Sequence, residues 1–297
     1  MIATGSFTGY VASVSRAPIG LIAGAGRFPI LFAEKAREAG VPVVCIGVAE
    51  MADPVLKTLC TEFHWLWRLS FGSVVRTLRR AGVSQWTMAG KYHKHILFQP
   101  WMWWRLLPDW HFARFWWRRH RGDNRDDSLL LALIHHMKEQ GLECVSALDV
   151  VPELLVRAGV LTKRTPTEAE WADIRFGWTL AKEMGRLDIG QSVVVRQQAC
   201  LAVEAIEGTD RCIRRAGELC RRAASVVVKV AKPNQDMRFD VPTIGEATLE
   251  SMREAGATVL AIEADRTILL DRPQVVDLAN RLGLCLVATV DRELFGT

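Results

Sequence analysis

The fold is decided by the stretch from residue 18 to residue 48, PIGLIAGAGRFPILFAEKAREAGVPVVCIGV. Pro18 to Ala23 is a short apolar run typical of a buried strand, and Gly24 to Pro29 supplies a tight turn. Ile30 to Ala39 has the apolar spacing of a helix, and Val41 to Val48 is a second apolar run. The stretch therefore predicts a strand, a turn, a helix and a second strand, which is how a parallel sheet begins.

The same alternation continues through the first half of the chain, which is the pattern of a parallel sheet covered by helices on both faces. We therefore predict an N-terminal Rossmann-like domain over residues 16–148. Its further elements are predicted as a helix from about Phe71 to Ala81, a strand from Gln85 to Ala89, a helix from Asp126 to Gln140 and a strand from Leu142 to Ala147.

Residues 149–165 break this pattern with Pro152, Gly159 and Pro166 just beyond, so we predict a linker there. A second domain, mixed α/β, is expected over residues 166–297, which makes the chain a protein of two α/β domains. Its elements are predicted as helices over Thr167–Met184 and near 210–221, 246–255 and 273–282, and as strands over Ser192–Arg196, Ala199–Ala205, Ser225–Ala231, Thr258–Ile262 and Leu284–Val290.

Composition indicates an ordinary globular protein. The chain has 297 residues, of which 49% are hydrophobic and 24% charged, and its net charge is +5. This charge weakly favours anionic partners, and without a basic repeat or a nucleic-acid motif we expect no nucleic acid to bind. Seven cysteines without a C-x-x-C pair are typical of reduced thiols in a cytoplasmic protein. No run reaches about 18 apolar residues, so we expect a soluble or peripheral protein.

The residues with the clearest chemical potential lie between Lys229 and Gly245, in the run KVAKPNQDMRFDVPTIG. Two lysines, an arginine and two carboxylates fall within twelve positions after an apolar strand. Such a cluster is too polar for a core and suits a site for a metal and a phosphate group. The alternative is a surface turn with local ion pairs.

The glycine turn at residues 24–26 is typical of nucleotide-binding sites, because backbone amides at a strand-to-helix turn with two glycines can approach a phosphate group closely. Pro29 replaces the third glycine of the G-x-G-x-x-G pattern, and the second strand ends in Cys45-Ile-Gly47, without a carboxylate there to bind an adenine ribose. These details disfavour a nicotinamide enzyme. They leave a helix N-terminus for the phosphate or uridine part of another nucleotide, or a purely structural turn.

Residues 101–117 contain six of the eleven tryptophans, and Arg118 to Arg121 follow at once. Indole rings settle at the headgroup level of membranes and arginines pair with lipid phosphates, so this segment is suited to membrane contact or to lining acyl chains. The alternatives are a helix-to-helix core or a dimer interface. We therefore also consider a homodimer.

Several of these motifs, in this order, resemble the LpxI family of UDP-2,3-diacylglucosamine pyrophosphatases of lipid A biosynthesis. The motifs are Gly20 to Pro29, Ala89-Gly-Lys91, Arg186 to Gln191, Ala202 to Asp210 and the run from Lys229 to Gly245. The resemblance implies a Mg²⁺-dependent hydrolase with a nucleotide-lipid substrate, acting at the cytoplasmic face of the inner membrane. Its products are UMP and 2,3-diacylglucosamine 1-phosphate, or lipid X, with water directed at the phosphorus nearer the sugar.

Asp240 matches the aspartate regarded as essential in the family and is our first candidate for catalysis. Asp240 and Asp236 are the expected Mg²⁺ ligands, while Lys232 and Arg238 complete the catalytic candidates. The expected substrate-binding residues are Gly24, Gly26, Arg27, Lys91, Gln191, Glu204, Gly208, Thr209, Asp210, Lys229, Gln235, Thr243 and Gly245.

One motif departs from the family. The usual short K/R-G-D-D-x-L-L stretch is here apparently lengthened, from Arg121 to Leu130. This leaves acyl-chain preference and the identity of the substrate open, so hydrolysis of another UDP-sugar is one alternative. Two rival hypotheses for the whole chain are a non-catalytic nucleotide-lipid binding protein and a dinucleotide oxidoreductase.

Overall fold

The computed structural model describes residues 17–67, 71–91, 126–233, 235–238 and 241–296, without the side chains of residues 71 and 126–132. The chain divides into two compact units, the first ending at Ala147 and the second beginning at Leu148. A short helix spans this division.

The first unit alternates strands and helices along the chain, and its strands are buried where they form the centre of the sheet. In chain order its elements are β1 (Ile19–Ala23), α1 (Arg27–Glu38), β2 (Val43–Val48), α2 (Leu56–Leu59), β3 (Glu62–Leu66), α3 (Phe71–Arg80), β4 (Gln85–Ala89), α4 (Asp126–Glu139) and β5 (Glu143–Cys144), and the helix at the division is α5 (Ala147–Val150).

Its five strands form one parallel sheet in the order β3-β2-β1-β4-β5. Ile19 pairs with Val43 on one side and with Gln85 on the other, so β1 lies at the centre. This is the doubly wound arrangement predicted from the opening stretch, and the Rossmann-like prediction is confirmed. The strand order reverses between β1 and β4, a position where open α/β sheets bind ligands.

The second unit begins with irregular structure and continues as a second α/β fold. After a 3₁₀ turn at Pro152–Leu154, its elements are β6 (Gly159–Val160), α6 (Glu168–Arg186), β7 (Ser192–Arg196), β8 (Ala199–Val203), α7 (Thr209–Leu219), β9 (Val226–Lys229), β10 (Thr243–Ile244), α8 (Glu246–Ala255), β11 (Val259–Glu263), β12 (Ile268–Leu269), α9 (Arg272–Arg281), β13 (Cys285–Thr289) and α10 (Asp291–Phe295).

Six of these strands form a mixed sheet in the order β6-β13-β11-β9-β7-β8, and β10 pairs with β12 separately. The central strands β9, β11 and β13 are parallel, whereas β6, β7 and β8 add antiparallel edges. The mixed α/β prediction for this half is thus confirmed. Residues 149–165, assigned above to a linker, lie in this unit, and β6 extends its sheet.

Alternate side chains of the central strands fill cores on opposite faces of this sheet. Val226 and Val228 pack on one face with Trp178 of α6, while Val227 packs on the other with Ile213 of α7 and Leu249 of α8. This period of two is what a central strand covered on both sides requires. Both faces of β9 are therefore buried, and its polar terminal residue, Lys229, is carried into the interior.

Two simpler predictions bear on the cellular setting. All seven cysteines lie among the described residues and are free thiols. Within the described ranges, no helix combines the length and apolarity needed to span a membrane.

Helix α7 packs so closely on α8 that a glycine is required between them. A Cβ at Gly217 would lie 2.5 Å from the Cα atom of Ala255 and 2.8 Å from its carbonyl oxygen. Alanine normally stabilises a helix interior by about 1 kcal/mol relative to glycine. Here we expect Gly217→Ala to lower the free energy of unfolding by about 1–3 kcal/mol because the backbone of α8 must move.

Urea unfolding measures this loss. Glu218→Ala, on the exposed side of the same helix, is the control and is expected to change stability by less than about 0.5 kcal/mol. A Gly217→Ala variant as stable as the unaltered protein would contradict the close packing.

Candidate active site

The glycine turn of the first unit lies at the carboxyl end of β1, where the strand order reverses. Gly26 has φ +99° and precedes α1, and it offers the amides of the first turn no side-chain cap. Next to it, the backbone of Ala25 and Lys91 exchanges two hydrogen bonds, of 3.0 and 2.8 Å. Residues from the ends of β1 and β4 are thereby joined at one place, as a phosphate-binding turn requires.

Gly90 makes this approach possible. Its φ is +99°, and a Cβ there would lie 2.8 Å from the carbonyl oxygen of Ala25 and 2.8 Å from Cγ of Pro29. Any larger residue would push the segment before Lys91 away from the turn. The Ala89-Gly-Lys91 motif is therefore held against the glycine turn by main-chain geometry, which brings together Gly24, Gly26 and Lys91 of the predicted site.

Arg27 is directed along its own helix. Its guanidinium donates to both carboxylate oxygens of Glu34, at 3.0 and 2.8 Å. Both side chains are about one third exposed. The structure thus gives this predicted substrate-binding arginine an intrahelical partner two turns away.

A buried polar cluster lies beside the carboxyl end of β9 in the second unit. The ammonium group of Lys229 donates to the hydroxyl of Thr209 at 3.0 Å, and that hydroxyl donates to Glu204 at 3.0 Å. Ser192 lies 3.2 Å from the same hydroxyl. The relative exposures of Lys229, Thr209 and Glu204 are 6%, 9% and 8%. A buried cation and a buried carboxylate thus share one hydroxyl group, which compensates both charges.

Gln191 connects this cluster to the strand ends. Its backbone amide donates to Glu204 at 3.4 Å, and its carbonyl accepts from Val230 at 3.0 Å. Among the described residues, its amide oxygen and the amide nitrogen of Gln235 are buried side-chain atoms without a hydrogen-bond partner. Buried polar atoms are rarely left without a hydrogen-bond partner, and a ligand or a water molecule commonly supplies the missing hydrogen bond.

Two helix N-termini lie next to this cluster. Gly208 precedes α7 and Gly245 precedes α8, and neither helix has a side-chain cap. The helices are tied at their first turns, because Thr248 donates to Asp210 at 3.0 Å. Such N-termini carry partial positive charge and favour phosphate groups.

Thr243 joins Lys229 to the second of these termini. Its carbonyl accepts from the ammonium group of Lys229 at 3.2 Å, and its hydroxyl donates to Val241. The structure therefore brings together seven residues of the predicted substrate-binding and catalytic set: Lys229, Glu204, Gly208, Thr209, Asp210, Thr243 and Gly245.

The loop after β9 carries its own local contacts. Lys232 donates from its side chain to Asp188 at 2.6 Å, and its backbone amide donates to the side chain of Gln235 at 2.9 Å. Asp236 accepts from the guanidinium of Arg238, and these hydrogen bonds lower the pKa of the carboxyl group. Asp236 is therefore ionised at neutral pH.

The ion pairs of Lys232 with Asp188 and of Asp236 with Arg238 agree with the alternative named in the sequence analysis, a surface turn with local ion pairs. Asp240, the first catalytic candidate, lies outside the described residues, as does the tryptophan-rich segment 101–117. In the part of the chain that the structure describes, no three His, Cys, Asp or Glu side chains group together as a metal site.

Sequence reasoning missed three polar residues of the second unit, two of them buried and one partly buried. Ser192 begins β7 and is fully buried beside Thr209, and Lys182 of α6 forms an ion pair with Glu263 at the end of β11. A charged residue ending an apolar strand run, as in Val-Leu-Ala-Ile-Glu263, was the available signal.

Comparison with known proteins relates both halves of the chain to one family. Residues 18–154 match the LpxI N-terminal domain, and residues 157–287 match the LpxI C-terminal domain. The chain is also 32% identical, over 285 residues, to the UDP-2,3-diacylglucosamine pyrophosphatase LpxI of Caulobacter vibrioides. That similarity covers 93% of this chain and 98% of the relative.

Loss of the shared hydroxyl tests the buried cluster. In Thr209→Val, Lys229 and Glu204 each lose a hydrogen bond inside the protein, so we expect the free energy of unfolding to fall by about 1–3 kcal/mol. The measurement is urea unfolding at neutral pH. Thr179→Val is the matched control, because that exposed hydroxyl only donates to the carbonyl of Arg175 on its own helix.

Equal stability changes in the two variants would show that the Thr209 hydroxyl does not compensate the buried charges.

Proposed function

Because the chain belongs to the LpxI family, we propose that it hydrolyses the diphosphate of UDP-2,3-diacylglucosamine to UMP and lipid X, with Mg²⁺. The chain is an enzyme of this family, and the reaction is that in the name of the Caulobacter relative. The observation that carries the proposal is the match of both domains, along nearly the whole chain, to a single family.

The chemistry of the second unit supports a diphosphate substrate. Water attacks a diphosphate slowly because negative oxygens repel the nucleophile, so a site must supply positive charge where charge develops. The ammonium group of Lys229 and the uncapped N-termini of α7 and α8 provide such charge from fixed elements. Their positions need no reorganisation when substrate binds, which is the condition for electrostatic stabilisation.

The glycine turn of the first unit supports binding of a nucleotide phosphate. Gly24, Gly26 and Lys91 lie together at the strand reversal, where phosphate groups bind in open α/β sheets. We propose that they bind a phosphate group of a nucleotide. Lys91 supplies the cationic side chain at this place.

The Mg²⁺ proposal rests on the donor set. Mg²⁺ is commonly held by one or two carboxylates together with substrate phosphates. The ionised carboxylate of Asp236 fits this description, and Asp240 is the second residue that would hold the ion. When bound, Mg²⁺ would reduce the charge of the diphosphate and lower the barrier to attack by water.

The protein groups act on the substrate in distinct ways. Asp240 is assigned to orienting the attacking water or to holding the ion. Arg238, which lies beside Asp236, and Lys232 are assigned to neutralising negative charge on the phosphate groups. Glu204 and Thr209 hold Lys229 in its orientation through their hydrogen bonds.

Release of UMP tests the reaction directly. With UDP-2,3-diacylglucosamine we expect turnover with Mg²⁺ and none with EDTA, and Asp240→Ala is expected to lower kcat at least about 100-fold, the scale of one lost electrostatic contribution. In ¹⁸O-labelled water, the label is expected in lipid X, because water attacks the phosphorus nearer the sugar. Asp277→Ala, an exposed change in α9, is the control.

Each other outcome favours a stated alternative. Turnover of a different UDP-sugar alone would replace the substrate, and tight lipid binding without turnover would favour a nucleotide-lipid carrier. Label found in UMP would contradict the direction of attack.

We also propose peripheral contact with the cytoplasmic face of the inner membrane, where a substrate with two acyl chains is collected. This rests on the tryptophans and arginines of residues 101–121. Replacing Trp103, Trp104, Trp116 and Trp117 with alanine is expected to reduce binding to vesicles containing anionic lipid at least about tenfold, because interfacial burial of several indoles is lost. The measurement is co-sedimentation with vesicles.

Trp67→Ala is the control, since this tryptophan is 61% exposed and lies outside the segment. The proposal would be contradicted if the unaltered protein did not bind the vesicles, or if the variant with all four tryptophans replaced bound them equally well.

A further inference from the structure

A largely buried ion pair lies where the chain leaves β9 and enters the loop between β9 and β10. One carboxylate oxygen of Glu263 accepts from the ammonium group of Lys182 at 2.7 Å, and the other accepts from the backbone amide of Ala231 at 2.7 Å. The side chains of Glu263 and Lys182 are 8% and 20% exposed. Arg266 adds a third charge, 4.0 Å from the same carboxylate.

The bond to Ala231 extends the sheet by one position. The backbones of β9 and β11 are paired as far as Lys229 and Ile262. Beyond that point, Val230 turns its amide toward Gln191, and Ala231 turns its amide toward the side chain of Glu263. Glu263 thus replaces a backbone acceptor at the position where the chain stops being a strand.

Lys182 is fixed by a second layer of contacts. Its ammonium group lies 5.7 Å from the centre of the Trp178 ring, and the indole nitrogen of Trp178 donates to Asp291 at 2.6 Å. Trp178 is 1% exposed, so its ring is a rigid support. The direction of the Glu263 carboxylate is therefore determined by the packing of α6 on the sheet.

We infer that Lys182 and Glu263 are positioning residues for catalysis, which fix the point at Ala231 where the loop between β9 and β10 begins, without touching substrate. The inference rests on the proposed function, because that loop carries Asp236, Arg238 and Asp240. Burying two charges is costly, and replacement by apolar side chains is often neutral for stability. A buried pair that determines where a loop begins has a geometric role, and small displacements near a reacting group cost large factors in rate.

Two measurements on four variants test the inference. Glu263→Gln places an amide donor against the Lys182 ammonium or the Ala231 amide, and Lys182→Met removes the cation beside the carboxylate, leaving it the Ala231 amide and the more distant Arg266. Both are expected to lower kcat about 10–100-fold while KM changes less than about threefold. Lys182→Arg keeps the cation and is expected to retain kcat within about threefold.

Glu170→Gln is the matched control. It removes a partly buried ion pair with Arg164 in the same unit, away from the loop between β9 and β10. We expect it to lower thermal stability without changing kcat.

Amide hydrogen exchange supplies a readout that does not depend on activity. Peptides covering residues 231–245 are expected to exchange at least about tenfold faster in Glu263→Gln and Lys182→Met, since the anchoring bond at Ala231 opens more often. The same peptides are expected to be unchanged in Glu170→Gln and Lys182→Arg.

Unchanged exchange and kcat in a folded Glu263→Gln protein would overturn the inference. Should that variant fail to fold, equal effects of Lys182→Arg and Lys182→Met would overturn it, because the cation would then be irrelevant. If the unaltered protein releases no UMP, the proposed function fails, while the exchange measurement still decides whether this pair anchors the loop.

Discussion

The second unit depends on the compensation of charges that its parallel strands carry into the interior. The strands β9 and β11 end in Lys229 and Glu263, and each of these residues, backbone included, is 6% exposed. Neither charge would be tolerated without a partner, and each has one: Lys229 bonds to Thr209, and Glu263 bonds to Lys182. Because each partner lies on a different helix, these bonds also connect the sheet to α7 and α6.

Much of the fold was predictable because its central strands are buried on both faces. Such strands appear in sequence as apolar runs, and the bounds of β4 and β7 were predicted to the residue. The strand β3, Glu62–Leu66, was missed because it lies at the sheet edge with its side chains only partly covered. The two-residue strands β10 and β12 are too short to impose a pattern.

The candidate site was predictable where motifs are local and less so where side chains meet over long separations. The glycine turn, the N-termini of α7 and α8 and Lys229 follow from turn residues and strand ends. No periodicity relates Lys182 to Glu263, which are separated by 81 positions and meet only because α6 covers the sheet. The local pairing of Arg27 with Glu34 likewise depends on rotamers that sequence does not specify.

Burial divides the charged residues of the second unit into two physical groups. The pair between Asp236 and Arg238 is 25% and 38% exposed, and an ion pair so accessible contributes only about 0–1 kcal/mol. The small free energy of such a pair means that a phosphate group or a divalent cation would compete with it at little cost. Lys229 and Glu263 have no such freedom, because separating a buried ion from its partner costs several kcal/mol. The buried charges of Lys229 and Glu263 therefore keep fixed positions. The partly exposed charges of Asp236 and Arg238, in the loop between β9 and β10, are those able to turn toward a ligand.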